Sequence, residues 1–284
     1  MKPRRRPAVA GYFYEGSREA LLRQVENCFL SSHGPGKTPT KEWSTRRPPA
    51  LISPHAGLMY SGPVAAHGYY ELTKYAAPES VVVFGPNHYG VGTVVSIYPG
   101  GSWLTPLGEV KIDDKLAAEI AGQREFFYLD EISHAREHSI EVQLPFLQYL
   151  YGEFLFVPIC INDQSLETCV EIGEAVAEVV DRRNILMIAS TDFTHYEPHE
   201  TVLKKDRLAL ERIQQLDVEG LYKVIEKYDI TMCGYGAVAA LLVAARKLGA
   251  VEATVLKQAT SGDTSGDYES VVGYAACKIE LPEK

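Results

Sequence analysis

The chain has 284 residues, 46% of them hydrophobic, and its 37 acidic residues set against 28 basic ones give a formal charge of −9. This is enough apolar material for one large core, and it excludes a disordered or collagen-like chain. The acidic balance excludes a broad nucleic-acid surface, because phosphate contacts need clustered Lys and Arg.

The single basic cluster, Lys2 with Arg4, Arg5 and Arg6, stands at the start. Gly11, Glu15 and Arg18 follow it where a secretory signal needs an unbroken apolar stretch, so the start reads as that of a mature cytoplasmic protein. Ser31 to Pro49 reads as an irregular loop, and strands are expected over 49–54, 81–86 and 93–98. A helix is expected from Pro63 to Leu72 and another from Ser139 to Tyr151. Further strands are expected over 154–161, 185–191, 253–260 and 271–279. Between them, Leu166 to Val180, Val202 to Gln215 and Gly234 to Leu248 have helical spacing. The alternation predicts one α/β domain over 1–284, with a central, mostly parallel sheet flanked by helices. The uncharged runs Pro48 to Tyr70 and Val81 to Gly108 are broken by Gly, Pro, His and Asn, so neither reads as a membrane helix.

Three apolar strands run straight into a histidine: Leu51-Ile-Ser-Pro-His55, Val81-Val-Val-Phe-Gly-Pro-Asn-His88, and Ile185-Leu-Met-Ile-Ala-Ser-Thr-Asp-Phe-Thr-His195. In open α/β sheets the carboxyl ends of strands form the ligand crevice, and three imidazoles aimed into one crevice point to a metal. Cys233 precedes a run of small residues that begins a helix, where the helix dipole favours a thiolate, the metal-binding form. The other cysteines, at 28, 160, 169 and 277, read as free core thiols. Asp192, three residues before His195, is placed to orient that imidazole or to touch the metal.

Other motifs point elsewhere and are set aside. Gly234-Tyr-Gly-Ala-Val-Ala239 matches a loose dinucleotide fingerprint but follows a helical segment instead of closing a strand. His134-Ala-Arg-Glu-His138 fits a short zinc-protease pattern and reads more simply as a solvated helix turn. His33, His67 and His199 read as solvated. No nucleophile elbow or phosphate-cradling loop is present, which excludes the commonest hydrolases and nucleotide hydrolases.

The motif set Ala10-Gly-Tyr-Phe-Tyr14, Ser53-Pro-His-Ala-Gly57, Tyr60-Ser-Gly62, Gly85-Pro-Asn-His88, Glu137-His-Ser-Ile-Glu141, Ser190-Thr-Asp-Phe-Thr-His195, Cys233-Gly and Gly262-Asp263 resembles the Memo family. That family's fold is similar to class III extradiol dioxygenases, non-haem iron enzymes that open catechol rings. The resemblance makes His55, His88 and Cys233 metal ligands and His195 an acid/base residue backed by Asp192. It also places Phe13, Asn87, His138 and Glu141 around the pocket. Cys233 stands where the dioxygenases have a carboxylate. Fe(II) is the implied metal, with copper or zinc as alternatives because a thiolate is a softer ligand. The function implied is a metal-dependent redox enzyme, the alternative being a module that holds a peptide or protein in the same crevice. By family association the implied partners are a radical-SAM protein and a partner of the AMMECR type, with no nucleic acid and no membrane.

Overall fold

A computed structural model describes residues 3–40 and 42–283. Strand β1 (Arg4–Arg5) and helix α1 (Arg18–Leu30) are followed by β2 (Ala50–Ser53) and α2 (Leu58–Glu71). Strands β3 (Ser80–Pro86), β4 (Val95–Ile97), β5 (Ser102–Thr105) and β6 (Gly108–Ile112) lead to α3 (Asp114–Ala121), β7 (Phe127–Leu129) and α4 (Leu144–Tyr151). The second half runs β8 (Leu155–Ile161), α5 (Leu166–Val180), β9 (Ile185–Ser190), β10 (His195–Glu197), α6 (His199–Gln214), α7 (Val218–Tyr228) and α8 (Tyr235–Lys247). It closes with β11 (Ala253–Thr260), the single turn α9 (Gly262–Ser265) and β12 (Val271–Ile279).

One mixed sheet joins all twelve strands in the order β1-β5-β6-β8-β3-β9-β2-β12-β10, with β11 on β12 and with β4 and β7 attached through β8. Its middle, β6-β8-β3-β9-β2, is parallel throughout. Every residue of β3 and β9 is buried, as expected of parallel strands covered on both faces, and this explains their unbroken apolar runs. Helix α8 covers β3, β9 and β2 with α5 and α7 outside it, while α2 lies against β2, β11 and β12 beside α1 and α4. No helix among the described residues is long and apolar enough to cross a membrane.

Several expectations are corrected. Helix α2 begins at Leu58, with Pro63 inside it and not at its start. Proline's missing donor leaves the Met59 carbonyl without its partner four residues on. The stretch 93–98 forms a strand only at Val95–Ile97, and it runs antiparallel to β8. Helices α1, α3 and α7 and strands β1, β5, β6, β7 and β10 lie beyond the expected elements. The cysteines are free and all but Cys233 are buried, as expected.

The parallel order has one consequence for function. Strands β3, β9 and β2 are adjacent and point the same way, so the residues after Pro86, Ser190 and Ser53 emerge side by side at one edge. Those residues carry His88, Asp192 and His55.

A candidate metal centre at the carboxyl edge of the sheet

His55, His88 and Cys233 each offer a ligand atom within 4.8 Å of the others. The Nε2 of His55 is 3.3 Å from the Cys233 sulfur, and the His55 and His88 rings cross at 80° with centroids 5.2 Å apart. Cys233 reaches this position because Gly234 lets the chain press against the end of β9. A Cβ at Gly234 would lie 2.4 Å from the Ser190 carbonyl oxygen.

The proton on each imidazole follows from its neighbours. The Ser190 hydroxyl has one proton, which it donates to the Ser139 carbonyl at 2.6 Å. It therefore accepts both from Gln143 Nε2 at 2.7 Å and from His55 Nδ1 at 2.9 Å. His55 thus carries its proton on Nδ1, and its Nε2 lone pair faces Cys233. Gln143 is held in turn by the Tyr69 hydroxyl at 2.6 Å and donates also to the Pro54 carbonyl at 3.0 Å. Burial, with His138 and His88 nearby, pushes the His55 pKa well down and keeps the ring neutral.

Glu137 does the same for His88. It is fully buried, and its carboxylate accepts from His88 Nδ1 at 2.9 Å and from the His88 backbone N–H at 2.7 Å. The backbone N–H groups of His138 and Ser139 donate to it at 2.9 and 2.8 Å. Burial alone would raise its pKa, but these bonds and the neighbouring histidines hold it well below the usual carboxylate range. An ionised carboxylate only accepts, so His88 also has its proton on Nδ1 and a free Nε2. A buried carboxylate fixing a metal-type histidine in this way sets ring orientation and basicity.

The two remaining catalytic candidates lie at the same edge with different partners from those expected. His195 Nδ1 donates to the Thr231 carbonyl at 2.8 Å, and its backbone N–H donates to the Thr231 hydroxyl at 2.7 Å. Its free atom is again Nε2. Asp192 does not make that bond; its Oδ1 accepts from the backbone N–H groups of His55 at 2.8 Å and Ala56 at 3.3 Å. Burial raises its pKa, and these bonds and the nearby His195 oppose the rise. His195 sits in an irregular pairing of β10 with β12, next to Tyr196 with φ of 60°. Such bulges re-aim a side chain.

Cys233 departs from the thiolate expectation. Burial first, then the Asp192 carboxylate, push its thiol up, outweighing the N–H of Asp192 that donates to the sulfur at 3.2 Å. The helix dipole falls off within a turn and does not offset desolvation. A cation bound there would displace the proton, as thiol ligation ordinarily does.

Of the pocket residues, His138 stacks on His88 at 4.6 Å, and the Phe13 ring meets its edge at 4.8 Å. Asn87 shapes the following loop, accepting from the Tyr89 and Gly90 N–H groups and donating to the Val91 carbonyl. Glu141 serves the N-terminal segment: its carboxylate accepts from Arg5, from the Ala8 and Val9 N–H groups, and from the Tyr14 hydroxyl.

The His134 to His138 stretch is not a solvated helix turn. It is a chain of turns with His134 and Glu137 fully buried, and His134 donates from Nε2 to the Ser96 carbonyl at 3.2 Å, within the cluster of Tyr98 and Trp103. His67 and His199 are likewise half-buried, hydrogen-bonded to the His33 carbonyl and the Thr260 hydroxyl, and His33 is half-buried as well. The sequence reading missed Glu137, Ser190 and Gln143 as ring-orienting groups. For Ser190 and Gln143 the available signal was polarity beside apolar runs, whereas Glu137 lies in a polar stretch that offered none.

A family model described as Memo-like protein matches residues 5–278. A MEMO1 family protein of Methanopyrus kandleri is 50% identical over 275 residues, covering 96% of this chain and 97% of that one. One of Saccharolobus solfataricus is 47% identical over 282 residues, covering 97% and 99%. Among solved structures, an uncharacterized protein of Escherichia coli K12 shares the fold with a TM-score of 0.57 at 15% identity, covering 81% of this chain and 99% of that one. The family match over residues 5–278 and relatives near 50% identity along almost the whole length show that the chain belongs to the Memo family.

Proposed function

We propose that this Memo family chain is a metal-dependent redox enzyme that holds Fe(II), or copper, on His55, His88 and Cys233. The observation that carries the reading is the state of the donor atoms. Two imidazoles have their Nδ1 protons committed to Ser190 and Glu137, which leaves each an Nε2 lone pair, and the two rings and one sulfur offer ligand atoms within 4.8 Å of one another. Two nitrogens and a thiolate suit a soft or borderline metal, and three protein ligands leave room for an exogenous one. Such a metal supplies electron transfer and Lewis acidity.

The protein's own groups do the rest. His195 holds its Nδ1 proton on Thr231, leaving Nε2 to take a proton from a substrate hydroxyl and return it. Asp192 supports the His55 backbone and supplies negative charge close to His195. His138 and Phe13 wall the crevice beside His88.

Elemental analysis of anaerobically purified protein, followed by oxygen uptake with a panel of phenols and catechols, tests the reading. Wild type should carry close to one metal per chain and consume oxygen with some member of the panel, and His195→Gln should keep the metal but lose turnover. Metal content no higher in wild type than in a His55→Ala, His88→Ala double variant would refute it. Metal retention without turnover, with a peptide captured through the same crevice, would favour the binding-module alternative.

A further inference from the structure

Asp206, on α6, is fully buried, and the metal centre makes no use of it. Its Oδ1 accepts from the Thr194 backbone N–H at 3.0 Å, and its Oδ2 has no hydrogen-bond partner among the described residues. The carboxyl presses against β12 at Gly273, where a Cβ would come within 1.8 Å of Oδ2, so only glycine admits it. Gly273 is in turn bonded to both neighbours of this contact: its N–H donates to the Thr194 carbonyl at 2.8 Å, and its carbonyl accepts from Phe193 at 2.9 Å. Asp206, Gly273 and Thr194 therefore form one buried knot directly before His195.

We propose that Asp206 is a positioning residue for His195: it fixes Thr194 from inside the helix–sheet contact, and a change in its charge is transmitted to the His195 loop. The proposal rests on the proton-carrying role assigned to His195. A half-satisfied buried carboxyl is costly to keep ionised, and such groups in native folds call for an explanation. Here burial raises its pKa to about 7 against the Thr194 hydrogen bond, with Glu197 raising it further and Lys205 lowering it.

The surrounding titratable groups are few. Helix α6 itself brings Lys205 and His199, and β10 brings Glu197 and His195. Lys205 bonds Glu197 at 2.7 Å and the Asp229 carbonyl at 3.0 Å, so Asp229 approaches from the end of α7. Strand β11 presents uncharged Gln258 and Thr260 to α6, which bond the Leu203 carbonyl and His199. Strand β12 presents Gly273. Among the described residues, the network gives Asp206 one ion pair at its margin and no direct counter-ion.

The test is a nuclear magnetic resonance titration of the full metal-free chain between pH 5 and 9, following the Thr194 amide and the His195 ring, the latter assigned with His195→Gln. The expected result is a Thr194 transition with a midpoint near neutrality, an inflection at the same pH in the His195 ring signal, and loss of both in Asp206→Asn. Lys205→Met, a change at the margin of the knot, should move the midpoint upward, since it removes the cation that favours the ionised form. A flat Thr194 amide in wild type, a transition that survives Asp206→Asn, or a midpoint unmoved by Lys205→Met would overturn the assignment. A Thr194 transition without a matching His195 inflection would overturn the transmission. Because no metal or turnover enters these readouts, failure of the redox reading leaves the result unchanged, and the two ideas fail separately.

Discussion

Replacing Glu137 by Gln changes one oxygen to an amide nitrogen, and the consequences can be worked out from its four bonds. With the new amide oxygen at the Oε1 position, three acceptor contacts persist, to His88 Nδ1, His138 N and Ser139 N. The amide nitrogen then faces the His88 backbone N–H across 2.7 Å, donor against donor. One buried bond is lost at a cost of about 1–3 kcal/mol. The other three lose their charge assistance, and bonds to ionised groups are roughly twice as strong as neutral ones. A total near 3 kcal/mol corresponds to a melting temperature lower by roughly 5 °C in a chain of this size. The loosened His88 ring should weaken metal binding by ~10–100-fold, the usual effect of removing a group that orients a ligand. Calorimetric titration of Fe(II) under argon, with thermal melts of the metal-free protein, measures both. Glu125→Gln, at an exposed position, serves as the control. Unchanged metal affinity in Glu137→Gln would mean that the carboxylate does not set the His88 ring, and the reasoning from second-layer geometry would be wrong.

Cys233→Ser should lower Fe(II) or Cu(I) affinity by at least ~10-fold while leaving the metal-free melt within a few degrees, because the change removes a soft ligand and little apolar surface; equal affinity by the same titration refutes its role as a ligand. Arg5→Ala should destabilise the fold by about 3–5 kcal/mol, since it strands the buried Glu141 charge paired with Arg5 at 2.6 Å, and urea unfolding would show a midpoint change too small for this if the pair were incidental. For Asp206 the folded pKa of about 7 lies above the ordinary aspartate value of 3.8, so its contribution to stability is full below the unfolded pKa and is lost as pH rises through the folded one. Asp206→Asn should therefore gain on wild type between pH 5 and pH 8, by about 3 kcal/mol at most, and equal differences in unfolding free energy at both pH values would contradict the shifted titration.

The parts of the site legible in the sequence were those written as local pattern. An apolar run ending in Pro-His or Asn-His marks a buried parallel strand and the loop at its carboxyl end, so His55 and His88 could be placed before any coordinates. Neither the order β3-β9-β2 nor the approach of Cys233 is local, and both came from packing: α8 covers those strands, and Gly234 allows contact with β9. The orienting groups were hidden for a related reason. Glu137 lies 49 residues from His88 and Ser190 lies 135 from His55, so no spacing rule links them. The charged look of His134-Ala-Arg-Glu-His138 suggested solvent, yet Arg5 arriving from the far end of the chain made burial affordable by neutralising Glu141 and binding the His134 and Glu137 carbonyls. Helix α1 shows Leu21, Val25, Cys28 and Phe29 on one stripe, a regular helical signal that the charged residues between them masked.

That Arg5 clamp also imposes an order on synthesis. Residues 5 to 14 leave the ribosome early, but their partners at 134 to 141 emerge more than a hundred residues later, and β1 pairs with Ser102 and Trp103. Contacts this distant in sequence form slowly because the intervening chain must first be closed into a loop. The segment that carries Phe13 to His138 therefore docks late, and the walls of the candidate metal crevice are completed only after the middle third of the protein has folded.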